Sequence, residues 1–205
     1  MSDHSKKKYY SFSYESLPRW SSYWYQIHEV LSLGASSVLE IGVGNGVVTK
    51  YLKSAGLHIT TLDVDKDLEP DVVASVTDMP LSDGSHDVVL AAQVLEHLSF
   101  EEFAPALAEI HRVAGRYAVI SLPHWGSILL GIVKLPLLPW LRLLCKLPSV
   151  AGSVPEDTEH RWEIGRRGYP LSRVKKEMRT SGFDIVRDYI IVEYPYHHFF
   201  VLKKK

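Results

Sequence analysis

One nine-residue stretch combines an acid with three glycines in a spacing that could hold a ligand. Residues 38–46 read Val-Leu-Glu-Ile-Gly-Val-Gly-Asn-Gly, so an apolar run leads into glycines at three alternate positions. An amphipathic helical pattern follows directly, which predicts a strand, a tight turn and a helix, with glycines where the backbone must approach a ligand closely. Glu40 lies just before the turn. A carboxylate there would repel a pyrophosphate and would suit a ligand that carries a cation, such as a sulfonium nucleotide.

Further polar residues follow other predicted strands. The alternating run at residues 58–62 ends in Asp63, and an acid at the end of a second strand is placed to accept hydrogen bonds from both hydroxyls of a ribose. Asp65 follows two residues later, and the pattern leaves open which of the two takes that role. Gln93 follows the apolar run at residues 86–92, so we expect it near the same edge of the sheet as the glycine turn.

Strands that alternate with helices predict an α/β fold: a doubly wound, mostly parallel, Rossmann-like sheet with helices on both faces. Helices are predicted near residues 20–33, 45–55, 100–113 and 171–181, and strands near 37–42, 58–63, 71–75, 86–92, 116–122, 184–193 and 196–203. Only Tyr194 and Pro195 separate the last two strands, too few residues for a helical crossover. We therefore expect these strands to form a C-terminal antiparallel hairpin.

These segments resemble, in order and spacing, those of class I S-adenosylmethionine-dependent methyltransferases, and in particular the type 11 subgroup. The resemblance covers about residues 36–122 and includes the glycine turn, the loop at 75–81, the strand at 83–90 and the run Gln-Val-Leu-Glu-His-Leu at 93–98. It implies S-adenosyl-L-methionine as cofactor and methyl transfer as activity. A nicotinamide or flavin enzyme would need a further glycine at position 47, where the chain has valine.

The resemblance also implies a set of cofactor-binding residues, which is Glu40, Gly42, Gly44, Asn45, Gly46, Asp63, Val64, Thr77, Asp78 and Gln93. In this set Asp63 takes the ribose and Val64 stacks beneath the adenine. The family often has an acid about five residues before the proline of the adenine loop, where this chain has Ser75. The contact with adenine is therefore expected from Thr77 and Asp78.

Two histidines are candidates for a catalytic general base. His124 follows the fifth predicted strand, at the edge where open α/β sheets bind ligands, and an imidazole titrates near physiological pH. His97 follows Glu96 close to Gln93, and a purely structural role stays open for both histidines. The pair Glu96 and His97 lacks a second pair of metal ligands in the sequence, so no metal site is expected. A further candidate cluster is His-Arg-Trp-Glu at 160–163, in which Arg161 could hold an anionic group of a substrate.

We expect residues 1–205 to form a single methyltransferase domain with two additions. The first is an N-terminal aromatic cap, about residues 9–33, whose rings suit the core and of which Tyr14 or Trp20 could cover the cofactor. The second is a Leu-rich insertion or lid, about residues 125–165. Its most unusual part, residues 127–150, contains three prolines and three basic residues at the spacing of one helical face, which are Lys134, Arg142 and Lys146.

The prolines and charges of residues 127–150 argue against a membrane span. They leave three alternatives open: a basic amphipathic lid over an apolar substrate, a peripheral contact with a membrane surface, and helices packed on the domain's own core.

Composition narrows the class of partner. The chain has 205 residues, a net charge of −1 and a single cysteine, which excludes an internal disulfide framework and a cysteine-based zinc cluster. The sequence contains neither a basic arm nor a zinc knuckle, so nucleic acid is not expected as a partner. The polar first residues do not resemble a signal peptide, so we expect a cytoplasmic protein, with membrane-peripheral contact as an alternative.

The methyl acceptor is expected to be a small or lipid-like molecule. Two other functions stay open: a non-catalytic protein that binds S-adenosylmethionine, and a membrane-peripheral methyltransferase of lipids or quinones.

Overall fold

The computed structural model describes residues 15–137, 141–147 and 159–205. Its helices are α1 (Leu17–Ser32), α2 (Val47–Ser54), α3 (Phe100–Val113) and α4 (Leu171–Thr180), with short 3₁₀ turns at Lys66–Leu68 and Leu95–His97. Its strands are β1 (Ser37–Ile41), β2 (His58–Asp63), β3 (Val72–Val73), β4 (His86–Ala92), β5 (Ala114–Pro123), β6 (Ile128–Val133), β7 (Leu141–Lys146), β8 (Phe183–Ile190) and β9 (His197–Lys204).

Seven of these strands form one sheet in the order β3-β2-β1-β4-β5-β9-β8. The first five strands pair in parallel, and β9 pairs antiparallel with both β5 and β8. The predicted doubly wound sheet with a C-terminal antiparallel hairpin is thus confirmed. The chain leaves β1 toward β2 on one side and later returns to β4 on the other. The order therefore reverses between β1 and β4, and such a switch point leaves a crevice at the carboxyl ends of the strands.

The apolar side chains of β1 and β4 alternate between two cores, one on each face of the sheet. Leu39 and Val89 pack with residues of α3 on one face, and Val38 and Val88 pack with residues of α1 and α2 on the other. All four side chains are fully buried. Because both faces are covered, these strands can offer polar groups to a ligand only near their ends.

Residues 128–147 differ from the expected helical lid. Strands β6 and β7 form a separate antiparallel ribbon, with register from Ile128 opposite Lys146 to Val133 opposite Leu141. Pro136 and Pro139 lie between the two strands in the sequence, and a helix through this segment would lose hydrogen bonds and clash at each proline. Extended strands avoid that conflict.

The ribbon exposes much of its apolar surface. Leu129 and Leu143 are 65% and 61% exposed, and they lie on the same face because their positions in the register are offset by two residues. Lys146, by contrast, faces the domain and donates hydrogen bonds to the backbone oxygens of His124 and Pro195. Among the helices of residues 15–137, 141–147 and 159–205, none has both the length and the apolar character needed to cross a bilayer.

Candidate active site

A cleft of about 890 Å³ opens at the carboxyl ends of β1, β2 and β4, where the strand order reverses. Its lining comes from α1, from the turn after β1, from the ends of β2 and β4 with the segments that follow them, and from residues 159–161 and 194–197. The volume lies within the range of pockets that enclose a cofactor-sized molecule. One cavity therefore joins the glycine turn to a second group of polar side chains.

The three glycines of the turn all have positive φ angles, +83° at Gly42, +53° at Gly44 and +68° at Gly46. A Cβ atom on Gly42 would come within 2.4 Å of Cγ2 of Val94, so the protein's own packing requires glycine there. A Cβ atom on Gly44 would meet no atom within 4 Å among the described residues. Because Gly44 lines the cleft, that space is open to a ligand. Gly46 precedes α2 and starts the helix.

Asn45 holds this turn in place as well as lining the cleft. Its side-chain oxygen accepts a hydrogen bond from the backbone nitrogen of Val47 at 3.1 Å, at the first turn of α2. Its side-chain nitrogen donates to the hydroxyl of Tyr23 at 3.0 Å and to the carboxylate of Glu15. The turn after β1 is therefore tied directly to α1.

Asp63 lies in the cleft with both carboxylate oxygens oriented by backbone groups. Oδ2 accepts from the nitrogen of Val43 at 2.9 Å, and Oδ1 accepts from the nitrogen of Asp65 at 2.9 Å. Each carboxylate oxygen can accept a further hydrogen bond. The carboxylate of Asp65 instead caps the following 3₁₀ turn, where it accepts from the nitrogen of Asp67 at 2.9 Å. Val64, between the two acids, lines the cleft and is 71% exposed.

Glu40 lines the inner part of the cleft and is only 5% exposed. Burial raises the pKa of its carboxyl to about 7, although the hydroxyl of Thr49, which donates to Oε2, and the charge of Lys53 favour the ionised form. Gln93 lines the cleft after β4 with a φ of +57°, and its amide donates to the hydroxyl of Ser121 at 3.2 Å.

The loop predicted to contact the adenine lines the cleft only in part. Ser75 and Val76 line the cleft, whereas Thr77 and Asp78 lie outside its lining as the described residues form it. The hydroxyl of Thr77 is 2.8 Å from that of Ser75.

His124 also lies outside the cleft lining that the described residues provide. Its Nδ1 is 2.9 Å from Nδ1 of His198 on β9. Burial, together with the charges of Lys146 and His198, lowers the pKa of His124 to about 3, which makes it a weak proton acceptor. His97, the other candidate base, does line the cleft.

A second polar cluster surrounds His97. Glu96 is fully buried, and neither of its carboxylate oxygens has a hydrogen-bond partner within the described parts of the chain. Burial raises the pKa of Glu96 to about 8. Nδ1 of His97 is 3.1 Å from the backbone oxygen of Glu159, and Nε2 of His160 is 3.9 Å from Oε1 of Glu96. Glu96, His97 and His160 all line the cleft.

Glu163 holds His160, a member of this cluster, in place. Its Oε1 accepts from the hydroxyl of Tyr196 and lies 3.0 Å from Nδ1 of His160, and its Oε2 accepts from Nε of Arg166 at 3.0 Å. Burial alone would raise the pKa of Glu163, but these hydrogen bonds and the charge of Arg166 outweigh it and lower the pKa to about 2. Trp162, fully buried against Phe100 and Phe103, fixes the segment.

Several lining residues were not anticipated from the sequence. They belong to α1, to the loop before β9 and to the first residue of β9, and they are Arg19, Ser22, Tyr23, Gln26, Tyr194, Tyr196 and His197. Of the two aromatic residues expected to cover the cofactor, Tyr14 lies outside the described residues. Trp20 is half exposed and lies away from the cleft lining formed by residues 15–137, 141–147 and 159–205, whereas Tyr23 on the same helix lines the cleft.

Residues 39–119 match a family model described as a methyltransferase domain. A search of curated proteins found no significant match to the chain. Solved structures share the fold at low identity. The chain is similar to 1,6-didemethyltoxoflavin-N1-methyltransferase of Burkholderia thailandensis with bound 1,6-didemethyltoxoflavin and S-adenosylhomocysteine, at 16% identity and a TM-score of 0.64, over 98% of this chain and 84% of that one.

It is also similar to the magnesium protoporphyrin IX methyltransferase of Synechocystis with bound S-adenosylmethionine, at 12% identity and a TM-score of 0.66, over 97% of this chain and 89% of that one. At such identities the likeness establishes the fold, and the family match covers the segment that carries the glycine turn, Asp63 and residues 93–98. Residues 39–119 thus match a methyltransferase domain, and the chain has the fold of these S-adenosylmethionine-dependent methyltransferases.

Proposed function

We propose that the cleft holds S-adenosylmethionine along the glycine turn and that its methyl group passes to a small polar acceptor bound beside His97 and His160. The observation that carries this proposal is the single cavity shared by the glycine turn and the cluster around Glu96. A sulfonium is already a reactive methyl donor. The enzyme's main tasks are therefore to align an in-line displacement and to exclude water, and a deep cleft that holds both molecules side by side would serve both.

In this proposal Asp63 binds the ribose. Its two oxygens are fixed by the nitrogens of Val43 and Asp65 and keep acceptor capacity toward the cleft. The exposed Val64 would lie against one face of the adenine, and Ser75 and Val76 would contact its edge. The local engagement of Asp65 with the 3₁₀ turn favours Asp63 over Asp65 for the ribose.

The amino-acid end of the cofactor would lie over Gly44, with its ammonium group near Glu40. A buried carboxyl whose pKa is raised by burial is stabilised as the anion when a cation binds next to it. This is the chemistry that separates an amino-acid-bearing nucleotide from a dinucleotide, which would bring negative charge to the same place.

The polar lining beyond Gln93 supports a small acceptor with a hydroxyl or amine. Residues 96–97 and 160–161 offer a carboxyl, two imidazoles and a guanidinium to the cavity. Such groups can orient a polar molecule and assist loss of its proton, and Arg161 suits an acceptor with an anionic group. The similar proteins with bound ligands act on 1,6-didemethyltoxoflavin and magnesium protoporphyrin IX, which are small molecules.

A second candidate is a membrane-peripheral enzyme that methylates a lipid or quinone. The exposed apolar face of the ribbon formed by β6 and β7 favours it, because scattered single leucines are usual on a surface whereas a contiguous apolar face indicates a contact. The polar character of the lining around His97 favours the small polar acceptor over this candidate.

The open space at Gly44 predicts that a side chain there would block the cofactor, and a second glycine of the chain provides a matched control. Gly44→Val should abolish calorimetric binding of S-adenosylhomocysteine, because the side chain would occupy the ligand's place. Gly34→Val is the control: Gly34 has a φ of +63° and, like Gly44, open space around its Cβ position in the part of the chain that the structure describes. Both variants carry similar backbone strain of about 1–2 kcal/mol, but only the first should lose the ligand. Equal affinities in the two variants would contradict the placement.

The ribose contact predicts different effects at the two neighbouring acids. Asp63→Ala should weaken S-adenosylhomocysteine binding by about 1.5–3 kcal/mol, the scale of hydrogen bonds to a charged group. Asp65→Ala should weaken it by less than half as much, since its carboxylate bonds within its own turn. Thermal unfolding of both variants checks that the fold is retained. A larger loss at Asp65 would exchange the two roles.

The position of Glu40 predicts pH-dependent cofactor binding. Its carboxyl has a raised pKa of about 7, and a bound ammonium group favours the ionised form, so affinity should rise as the pH increases from 6 to 8. The slope approaches tenfold per pH unit below the pKa, or about 1.4 kcal/mol. Calorimetry at three pH values measures it. Glu40→Gln should weaken binding and remove the slope, and 5′-methylthioadenosine, which lacks the amino acid, should show no slope with the native protein. An unchanged slope in Glu40→Gln would assign the effect elsewhere.

The acceptor class can be tested without knowing the acceptor. Extracts of cells that express the protein are incubated with the protein and S-adenosylmethionine carrying a trideuterated methyl group, and label is followed by mass spectrometry in aqueous and lipid fractions. We expect a labelled product in the aqueous fraction, absent with Gly44→Val. Label confined to lipids would favour the membrane-peripheral candidate. Cofactor binding without label in either fraction would contradict methyl transfer and favour a non-catalytic binding protein.

Contact with a membrane can be tested directly at the ribbon formed by β6 and β7. A double variant, Leu129→Gln with Leu143→Gln, removes exposed apolar surface from one face. Substitution of Lys146 is avoided because its amino group bonds to the domain. If the second candidate is correct, the native protein should sediment with phosphatidylglycerol vesicles and the double variant should not.

A further inference from the structure

Three side chains in the cleft bring together the donor atoms of a metal site. Glu96, His97 and His160 each offer one ligand atom, and these atoms all lie within 4.8 Å of one another. Glu96 is fully buried, and both of its oxygens are without a hydrogen-bond partner in the described parts of the chain. A buried carboxylate in that condition is costly unless it is paired with a cation or coordinates one.

Both imidazoles are oriented as metal ligands usually are. Nδ1 of His97 is 3.1 Å from a backbone oxygen, that of Glu159, and Nδ1 of His160 is 3.0 Å from a carboxylate oxygen of Glu163. Because both partners are acceptors, each Nδ1 carries a proton, and a metal ion would be bound through the other ring nitrogen in its deprotonated form. Nε2 of His160 lies 3.9 Å from Oε1 of Glu96. Histidines that bind metals commonly donate their other N–H to a carbonyl or a carboxylate in this way.

We propose that Glu96, His97 and His160 bind a divalent transition-metal ion. Two imidazoles and one carboxylate suit zinc, cobalt, iron or manganese and leave coordination positions open. Ligand atoms at about 2.1 Å from one ion lie about 3–4 Å apart, so the present separations need only a small contraction. The sequence predicted no metal site because Glu96 and His97 had no second pair, and the fold supplies the missing ligand from a distant segment.

Glu163 is the positioning residue of this site. It holds the ring of His160 and is itself held by Nε of Arg166 and the hydroxyl of Tyr196. A metal-binding side chain that is already held by hydrogen bonds loses less conformational freedom when the ion binds. The bond from Glu163 to His160 should therefore raise the affinity of the site for the metal.

The open coordination positions face the cavity in which the acceptor would bind, and this reading of the metal's role rests on the function proposed above. An acceptor hydroxyl bound to the ion would lose its proton to water and present an oxyanion. That oxygen would form a bond to the methyl carbon as the carbon–sulfur bond breaks, which gives a methyl ether and neutral S-adenosylhomocysteine. Metal binding itself does not depend on this role.

The test uses the untagged protein after treatment with a chelator. Co²⁺ is titrated by visible absorption and Zn²⁺ by calorimetry, and we expect one ion per chain. Glu96→Gln and His160→Ala should each lower the affinity at least a hundredfold, and Glu163→Gln should lower it ten- to a hundredfold. His58→Ala, at an exposed position on β2, and His124→Ala, from the other histidine pair, are matched controls that should leave it unchanged.

Each possible result either supports or overturns the proposed metal site. Absence of stoichiometric binding by the native protein would overturn the site, as would retained affinity in folded Glu96→Gln and His160→Ala. Loss of binding in His124→Ala would move the ion to the other histidine pair. Calorimetry with S-adenosylhomocysteine on the same samples separates the two proposals. A native protein that binds this ligand but no metal contradicts only the metal site, and one that binds metal but not the ligand contradicts only the proposed cofactor cleft.

Discussion

The turn after β1 is the constraint on which the rest of the site depends. The chain must leave a strand that is paired on both sides and turn at once beneath Val94, and only a residue without a side chain fits at Gly42. The nitrogen of Gly42 donates to the oxygen of Leu62 at 2.8 Å, which continues the pairing with β2. Asp63 then accepts from the nitrogen of Val43. The end of β2 thus positions the turn, and the same carboxylate is left facing the cleft.

The cleft places polar groups where the packed sheet cannot cover them. Glu40, in β1, and Glu96, in the 3₁₀ turn that follows β4, are buried carboxyls, and burial raises the pKa of both. Gln93, which also lines the cavity, has a positive φ, a conformation that costs energy for a residue with a side chain. Backbone strain and buried ionisable groups at one place are typical of functional sites, since the rest of the fold holds them there. A cationic cofactor beside Glu40 and a metal ion beside Glu96 would each relieve part of that cost.

The local pattern of apolar residues and turns in the sequence was sufficient to predict most strands of the seven-stranded sheet. The strands are short apolar runs bounded by turns, and the few residues before β9 required a hairpin, so the mostly parallel sheet, its antiparallel hairpin and the residues at the ends of β1 and β2 could be predicted. Contacts between distant segments could not. The position of His160 beside Glu96 depends on Trp162 packing against Phe100 and Phe103, and nothing in the spacing of these residues encodes that contact. His124 likewise follows β5 as expected, but its contact with His198 on β9 joins segments that are distant in the sequence and could not be foreseen from local pattern.

A crystal structure of the protein with S-adenosylhomocysteine would test the central claim most directly, since the claim concerns where each part of one ligand lies. The account predicts both ribose hydroxyls within hydrogen-bond distance of the carboxylate of Asp63, the adenine against Val64, and the amino-acid end over Gly44 with its amine toward Glu40. A ligand bound outside this cleft, or bound within it in the reverse direction with the adenine beside Glu96, would contradict the account.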